Sequence, residues 1–312
     1  MNKLIVSSSP HIKTNNDTPR VMLDVIIALI PTLIAGIVLY GIRALLVVAT
    51  CVVSAVVAEF LFNIITKREQ TVFDLSAIVT GLILGLSLHA DAPVWQCVIG
   101  SVFAIIVVKC LFGGLGANFA NPAVTARVFL LLCFSGTLAG GSRPLITSNP
   151  DLVAGATPLE VIKNGGELPS LLDMLLGARG GAIGESCIIA LVLGFAYLVI
   201  RKVINFEVPV IFVGTVFLLS LLVGDVNAAL YQVLAGGVVF GAVFMATDYV
   251  TTPITRVGKM IFAFGCGLLT FLIRQYGAYP EGASFAILFM NILSPYIEQW
   301  TRPRALGKRG SK

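Results

Sequence analysis

The chain has 312 residues, of which 57% are hydrophobic and only 12% charged, with a mean hydropathy of +0.96. An ordinary soluble domain carries about 25% charged residues, so this composition excludes one and describes an all-α polytopic membrane protein. The formal net charge of +5 does not mark a nucleic-acid binder, because the basic residues sit in short clusters between apolar runs and in the carboxy-terminal tail, where they act as topology signals.

A bilayer core of about 30 Å needs about 20 apolar residues per helix, and that template fits along the chain about ten times. The polar lead-in through Pro10, His11 and Thr14 to Arg20 reads as a short cytoplasmic segment, residues 1–21, and not as a cleaved signal peptide. The expected spans are Met22–Tyr40, Ala44–Ile65, Leu75–Ala90, Pro93–Phe112 and Ala123–Ala139, then Ser186–Ile200, Val208–Val223, Ala228–Thr247, Lys259–Tyr276 and Ala283–Ile297. The third, fifth, sixth and tenth are short, which suits tilted or broken helices surrounded by protein.

With the amino terminus inside, Lys3, Lys13, Arg20, Lys67, Arg68, Arg201, Lys202, Arg256, Lys259 and the tail residues Arg302, Arg304, Lys308, Arg309 and Lys312 all fall on the cytoplasmic side. The outer connections are poor in Lys and Arg, so both termini are expected in the cytoplasm. The chain then divides into a first five-helix repeat (22–139), an extracytoplasmic loop (140–185), a second five-helix repeat (186–300) and a basic tail (301–312) that can anchor to anionic lipid. An odd number of spans per half inverts the second half relative to the first. Weak sequence echoes agree, since Leu88–Pro93 resembles Ala246–Pro253, and Gly116–Asn121 resembles Gly277–Gly282.

Cys51, Cys97, Cys110, Cys133, Cys187 and Cys266 fall singly, without a C-x-x-C pair, so they read as small core residues rather than iron-sulfur or disulfide partners. Neither His11 nor His89 has a paired ligand, and no metal site is expected. Asp24, Glu59, Lys109, Arg127, Asp248 and Arg274 are functional candidates because a charge near the bilayer centre is costly. Snorkelling, or an i, i+4 pair such as Arg20 with Asp24, accounts for several of them. Asp248 stands apart: it follows the small residues Ala246 and Thr247 and precedes a Thr-rich irregular stretch, which suits bonding a ligand or lining a cation path.

Two stretches carry more information. In the run Lys109 to Arg127, glycines at 113, 114 and 116 interrupt the helix, and Asn118 and Asn121 offer amides three residues apart just before Pro122. Those amides can bond the edge of a flat heterocycle or cap the next helix; on spacing alone, capping is the simpler reading. In the long loop, Asp151-Leu-Val-Ala-Gly-Ala-Thr-Pro-Leu159 places Gly155 and Ala156 before Thr157, so a phosphate can approach closely, and Pro158 stiffens the chain behind the hydroxyl. Taken alone, the nine residues also describe an ordinary turn.

The two stretches together resemble the family that contains the D subunit of Rnf complexes and the B subunit of the sodium-pumping NADH:quinone reductase. The loop is similar to that family's flavinylation motif, with Ala154 standing where the family has a hydroxyl residue, and the earlier run is similar to its G-G-x-G-x-N-x-x-N-P-A segment. The resemblance continues through Met245–Asp248 and Glu281–Ser284. It implies FMN joined to Thr157 by a phosphoester bond, which a separate flavin transferase makes, with Asp151, Gly155 and Ala156 in the attachment motif. It also implies a noncovalent riboflavin near Asn118 and Asn121, with Asp248 as a further candidate contact.

The implied activity is electron transfer within an Rnf-type ferredoxin:NAD oxidoreductase that moves Na+ or H+. The partners would be Rnf subunits A, B, C, E and G, and the NAD and ferredoxin sites would lie on them, since this chain has no P-loop, dinucleotide fingerprint or nucleophile triad. The short lead-in and compact length favour the Rnf side over the quinone reductase. A secondary transporter or channel on the same inverted repeat, lacking redox cofactors, is the reading from another class.

Overall fold

A computed structural model describes residues 17–138, 141, 142, 144, 145, 158, 159, 170–277 and 281–303. These residues are helical apart from loops and an isolated bridge between Ser142 and Gly181. Helices α1 (Thr18–Tyr40) and α2 (Ile42–Ile65) are long, with a mean hydropathy of 2.5 each, and reverse direction at Gly41, whose φ of 72° favours a residue without Cβ. Along α1, Leu23, Ile27, Ile30, Ile34 and Val38 are exposed, whereas Asp24, Ala28, Thr32 and Gly36 are buried. The apolar side chains face outward and the small or polar ones inward, as a lipid-facing helix requires.

The next three helices are shorter: α3 (Ser76–Ser87), α4 (Val94–Cys110) and α5 (Pro122–Cys133). Helix α3 rises only ~18 Å over its length, and all its residues except Ile78 are buried, so protein and not lipid surrounds it. Gly81 and Gly85 let it lie directly on the α2 backbone; a Cβ on Gly81 would stand 2.7 Å from Val52 Cα. The second half of α4, Phe103–Cys110, widens into a π-helix. The expected fifth span stops early, because α5 breaks at Phe134 before a four-residue turn, Ser135–Leu138.

After α6 (Leu171–Leu176) come α7 (Ile188–Ile200) and α8 (Glu207–Val223). The expected span Ala228–Thr247 is two helices, α9 (Val226–Leu234) and α10 (Val238–Met245), bent by 60°. Gly236, at φ 66°, makes the break, and Arg274 donates to the Gln232 and Ala235 carbonyls freed at the end of α9. The last helices are α11 (Arg256–Tyr276) and α12 (Ala283–Thr301). Helices α1, α2 and α11 are each long and apolar enough to cross a bilayer, and α9 with α10 can make a fourth crossing.

Polar contacts sort the helix ends into two faces. On the first, Asp24 near the α1 start accepts from Tyr197 and Arg201 near the α7 end, Arg256 pairs with Glu207, and Thr255 bonds Thr301. On the second, the Tyr40 hydroxyl donates to the Arg179 carbonyl, Arg43 pairs with Asp91, Ile183 N–H donates to the Leu88 carbonyl, and Gln96 bonds Thr137.

The α2–α3 contact gives a direct test. Gly81→Ala should cost about 1–3 kcal/mol through backbone crowding, read as a lower melting temperature of the detergent-purified protein. Gly214→Ala, in α8 with nothing within 4 Å of the new Cβ, should be neutral or slightly stabilising, and equal effects at both positions would refute the close-packing account.

Candidate functional site

Asn118, Asn121 and Asp248, singled out from two stretches far apart in sequence, line one cavity toward the first face. Its walls come from α1 (Met22, Val25), α3 (Val79, Thr80, Ile83) and the π-helical end of α10 (Val243, Phe244), so they are mostly apolar with a few polar groups. Sites for small organic ligands share that character.

The three polar residues are not equivalent. Asn121 is the N-cap of α5: its Oδ1 accepts from the Ala123 and Val124 N–H groups, and its Nδ2 donates to the Met245 carbonyl at 3.4 Å. The capping reading therefore holds for Asn121. Asn118 Oδ1 is buried without a hydrogen-bond partner, and an unpaired buried acceptor costs about 1–3 kcal/mol. Asp248 accepts from the Val250 N–H and the Thr251 hydroxyl, both at 3.2 Å, while its own carbonyl accepts from the Thr252 hydroxyl. Desolvation raises the Asp248 carboxyl above its ordinary value, opposed by those two donors.

Lys109 and Ser76 complete one wall. Lys109 Nζ donates to both Glu59 carboxylate oxygens at 2.8 Å and to Ser76 Oγ at 2.6 Å, and Lys109 and Glu59 are both about 1% exposed. Glu59 Oε1 also accepts from the Thr71 hydroxyl at 2.6 Å. The two halves of this pair lie 50 residues apart on α2 and α4, so the pair ties these helices together where α4 is π-helical.

Thr157, Asp151, Gly155 and Ala156 lie outside the described residues. Their neighbours Pro158 and Leu159 are buried. Leu159 packs with Met174 and Ala235 near the second face, and Pro158 borders a small pocket with Arg179, Ser186, Glu185, Gly236 and Glu281. Behind it, Arg127 bridges Glu185, at 2.8 Å, and Glu281. Glu185 Oε2 is buried without a partner. Burial, with the Glu281 charge second, pushes the Glu185 carboxyl up to about 7 although Arg127 opposes it.

Sequence reasoning singled out Arg127, Lys109 and Glu59 but not Glu185 or Arg179, which fall in the expected loop 140–185. A signal was available, because an arginine inside an apolar helix demands a countercharge and Glu185 stands immediately before the next expected span. Asp24 also differs from expectation: its partners are Tyr197 and Arg201, 173 and 177 residues away, where a local pair with Arg20 was expected. Of the tail, Arg302 is exposed, and Arg304, Lys308 and Arg309 lie outside the described residues. Cys51, Cys97, Cys110 and Cys266 are buried; Cys133 is exposed.

A sequence profile of the NQR2, RnfD, RnfE family matches residues 5–307. The D subunit of the Na(+)-translocating ferredoxin:NAD(+) oxidoreductase complex of Acetobacterium woodii is 45% identical to this chain, over 97% of it and 95% of the relative. The D subunit of the proton-translocating ferredoxin:NAD(+) oxidoreductase complex of Clostridium ljungdahlii is 39% identical, over 99% and 97%. The D subunit of the ion-translocating oxidoreductase complex of Stutzerimonas stutzeri is 34% identical, over 93% and 92%. The chain is thus a multi-pass integral membrane protein that belongs to the NQR2, RnfD, RnfE family.

Proposed function

We propose that this chain is the D subunit of an Rnf-type ferredoxin:NAD oxidoreductase that couples electron transfer to translocation of Na+ or H+. In this reading it holds FMN on Thr157 and a noncovalent riboflavin in the cavity, and it assembles with subunits A, B, C, E and G after a flavin transferase has acted. One observation carries it: Asn118 and Asp248, from stretches about half a chain apart, meet in one cavity where the Asn118 Oδ1 has no protein partner. The residues fit a flat heterocycle, with apolar walls for the ring faces and an unpaired acceptor for a ring N–H.

The flavins supply the redox chemistry when bound. The chain's share is to orient and to exclude water. Val79, Ile83, Val243 and Phe244 keep the cavity apolar, Asn118 accepts from one edge, and Asp248 fixes the irregular stretch 248–252 that closes it. Asn121 acts indirectly, by starting α5 in register with the Met245 end of α10.

The topology belongs to the same proposal: ten crossings in two inverted halves, 22–139 and 186–300, with 140–185 between them and both termini in the cytoplasm. Supporting it, α4 and α10 both end in π-helical turns at the cavity, and the ends of α7 and α12 share the first face with the start of α1 and α11. The first face would then be cytoplasmic, and Pro158, near the second, would place the Thr157 attachment outside. The names of the relatives favour this reading over a quinone reductase or a cofactor-free transporter.

After denaturing electrophoresis, the matured chain should give a fluorescent band at its own mass. Thr157→Val should abolish it, while Thr157→Ser retains a phosphoester acceptor. A band that survives the valine change moves the attachment elsewhere, and a dark wild-type band returns the transporter reading. Separately, Asn118→Leu should reduce the acid-extractable, noncovalent flavin at least ~10-fold, about 1.4 kcal/mol, with the covalent band intact. Asp248→Asn keeps the geometry and removes the charge; unchanged flavin content together with unchanged ion transport would exclude Asp248 from both roles.

A further inference from the structure

A continuous line of hydrogen bonds runs from the surface of the first face to the cavity. Thr71 is exposed, on the loop after α2. Its hydroxyl accepts from Asn63 Nδ2 at 3.1 Å and donates to Glu59 Oε1 at 2.6 Å. Glu59 in turn accepts from Lys109 Nζ, and Lys109 and Ser76, themselves bonded at 2.6 Å, form part of the cavity wall. Every junction lies within ordinary hydrogen-bond distance, and Glu59 and Lys109 are sealed from water.

A buried ion pair alone explains little here. Replacing such a pair by apolar residues of like volume is often neutral or stabilising, so stability does not account for placing an ammonium against an apolar cavity. Other charges nearby leave the line unbroken. Asp74 accepts from Ser76 Oγ and N–H, Arg68 donates to the Cys110 carbonyl, and Asp248 stands in the same cavity engaged with Val250 and Thr251. Thr71 is the member of the line that meets water.

We propose that Thr71, Glu59 and Lys109 form a proton relay that protonates the redox ligand of this cavity as it takes up electrons; the inference rests on the flavin reading of the cavity. The electron arrives from the complex's own electron transfer. Lys109 breaks an Nζ–H bond as the proton passes to a ring nitrogen, leaving a neutral amine. Glu59, loaded through the Thr71 hydroxyl with a proton from water, returns that proton to Nζ and is again a carboxylate. One electron taken up is thus balanced by one proton drawn from the aqueous phase at the first face. Ser76 is a positioning residue that holds Nζ toward the cavity.

The experiment uses the whole complex and follows noncovalent flavin reduction by stopped flow, with a pH dye recording proton uptake and acid extraction measuring flavin content. Glu59→Gln with Lys109→Met removes both charges together and so avoids the uncompensated charge that either change alone would bury. Full flavin content is expected, with reduction and proton uptake slowed together by ~100-fold, the usual scale of a lost proton donor. Imidazolium, a small weak acid, should restore both rates. Thr71→Val, at the surface with the ion pair intact, should slow both rates by a smaller factor, and it decides the matter if the double variant does not assemble. Wild-type rates with full flavin content overturn the relay alone, as does a slow variant that imidazolium fails to rescue. A wild-type complex that yields no noncovalent flavin overturns the cavity reading and the relay with it.

Discussion

The constraint on which this structure depends is that a chain surrounded by lipid has no water with which to satisfy its polar groups. Each buried charge must therefore find a countercharge or other polar partners inside the protein, however distant in sequence. Lys109 finds Glu59 across 50 residues, and Arg127 finds Glu185 across 58 and Glu281 across 154. These pairs decide which helices stand together. Removing one partner would strand a charge at a cost of about 3–5 kcal/mol, so the ionic contacts fix the arrangement even where they add little net stability.

The same constraint governs the broken helices. Freed carbonyls at the end of α9 are met by the Arg274 guanidinium, and freed N–H groups at the start of α5 by Asn121 Oδ1. Each break is thus capped by a side chain from, or next to, the groups that build the two candidate sites. A helix such as α3, only ~18 Å long, is tolerable because α2 covers it at Gly81 and Gly85 and the outer helices take the lipid contact.

How much of this could be read from the sequence depends on what each signal measures. Long apolar runs gave the ends of α1, α2 and α11 to the residue and their starts to within four residues, since hydropathy registers lipid-facing length directly. It does not separate burial in lipid from burial in protein, so the fifth span was marked as short without its break being placed at Phe134, and the 60° bend between α9 and α10 was missed, although Gly236 and Gly237 mark the latter. Residue types singled out Asn118 and Asn121 in one stretch and Asp248 in another, while only the fold brings them to one cavity. Their division of labour was not legible, because whether an amide caps a helix or is left unpaired depends on neighbours brought in by the fold. The role of Glu185 was hidden for the same reason, its partners being set by tertiary contacts. Asp151, Gly155, Ala156 and Thr157 remain sequence readings, lying outside the described residues.

The two candidate sites stand at opposite ends of α3. Ser76, at its start, belongs to the cavity wall beside Lys109, and Leu88, just past its end, accepts from Ile183 in the segment that also lines the pocket of Pro158 through Gly181 and Glu185. A short helix, buried at every position but Ile78, thus joins the cavity to the segment that lines the pocket beside Pro158. The Thr71 line connects the cavity's polar wall to water at the first face, and that has a consequence for coupling. Electrons exchanged between the faces would cross a dry interior, whereas protons delivered along this line come from one face only. A site wired to a single aqueous phase takes and returns its protons on that side, so the relay itself moves no net charge across the membrane. The translocated ion then requires a path separate from Glu59 and Lys109.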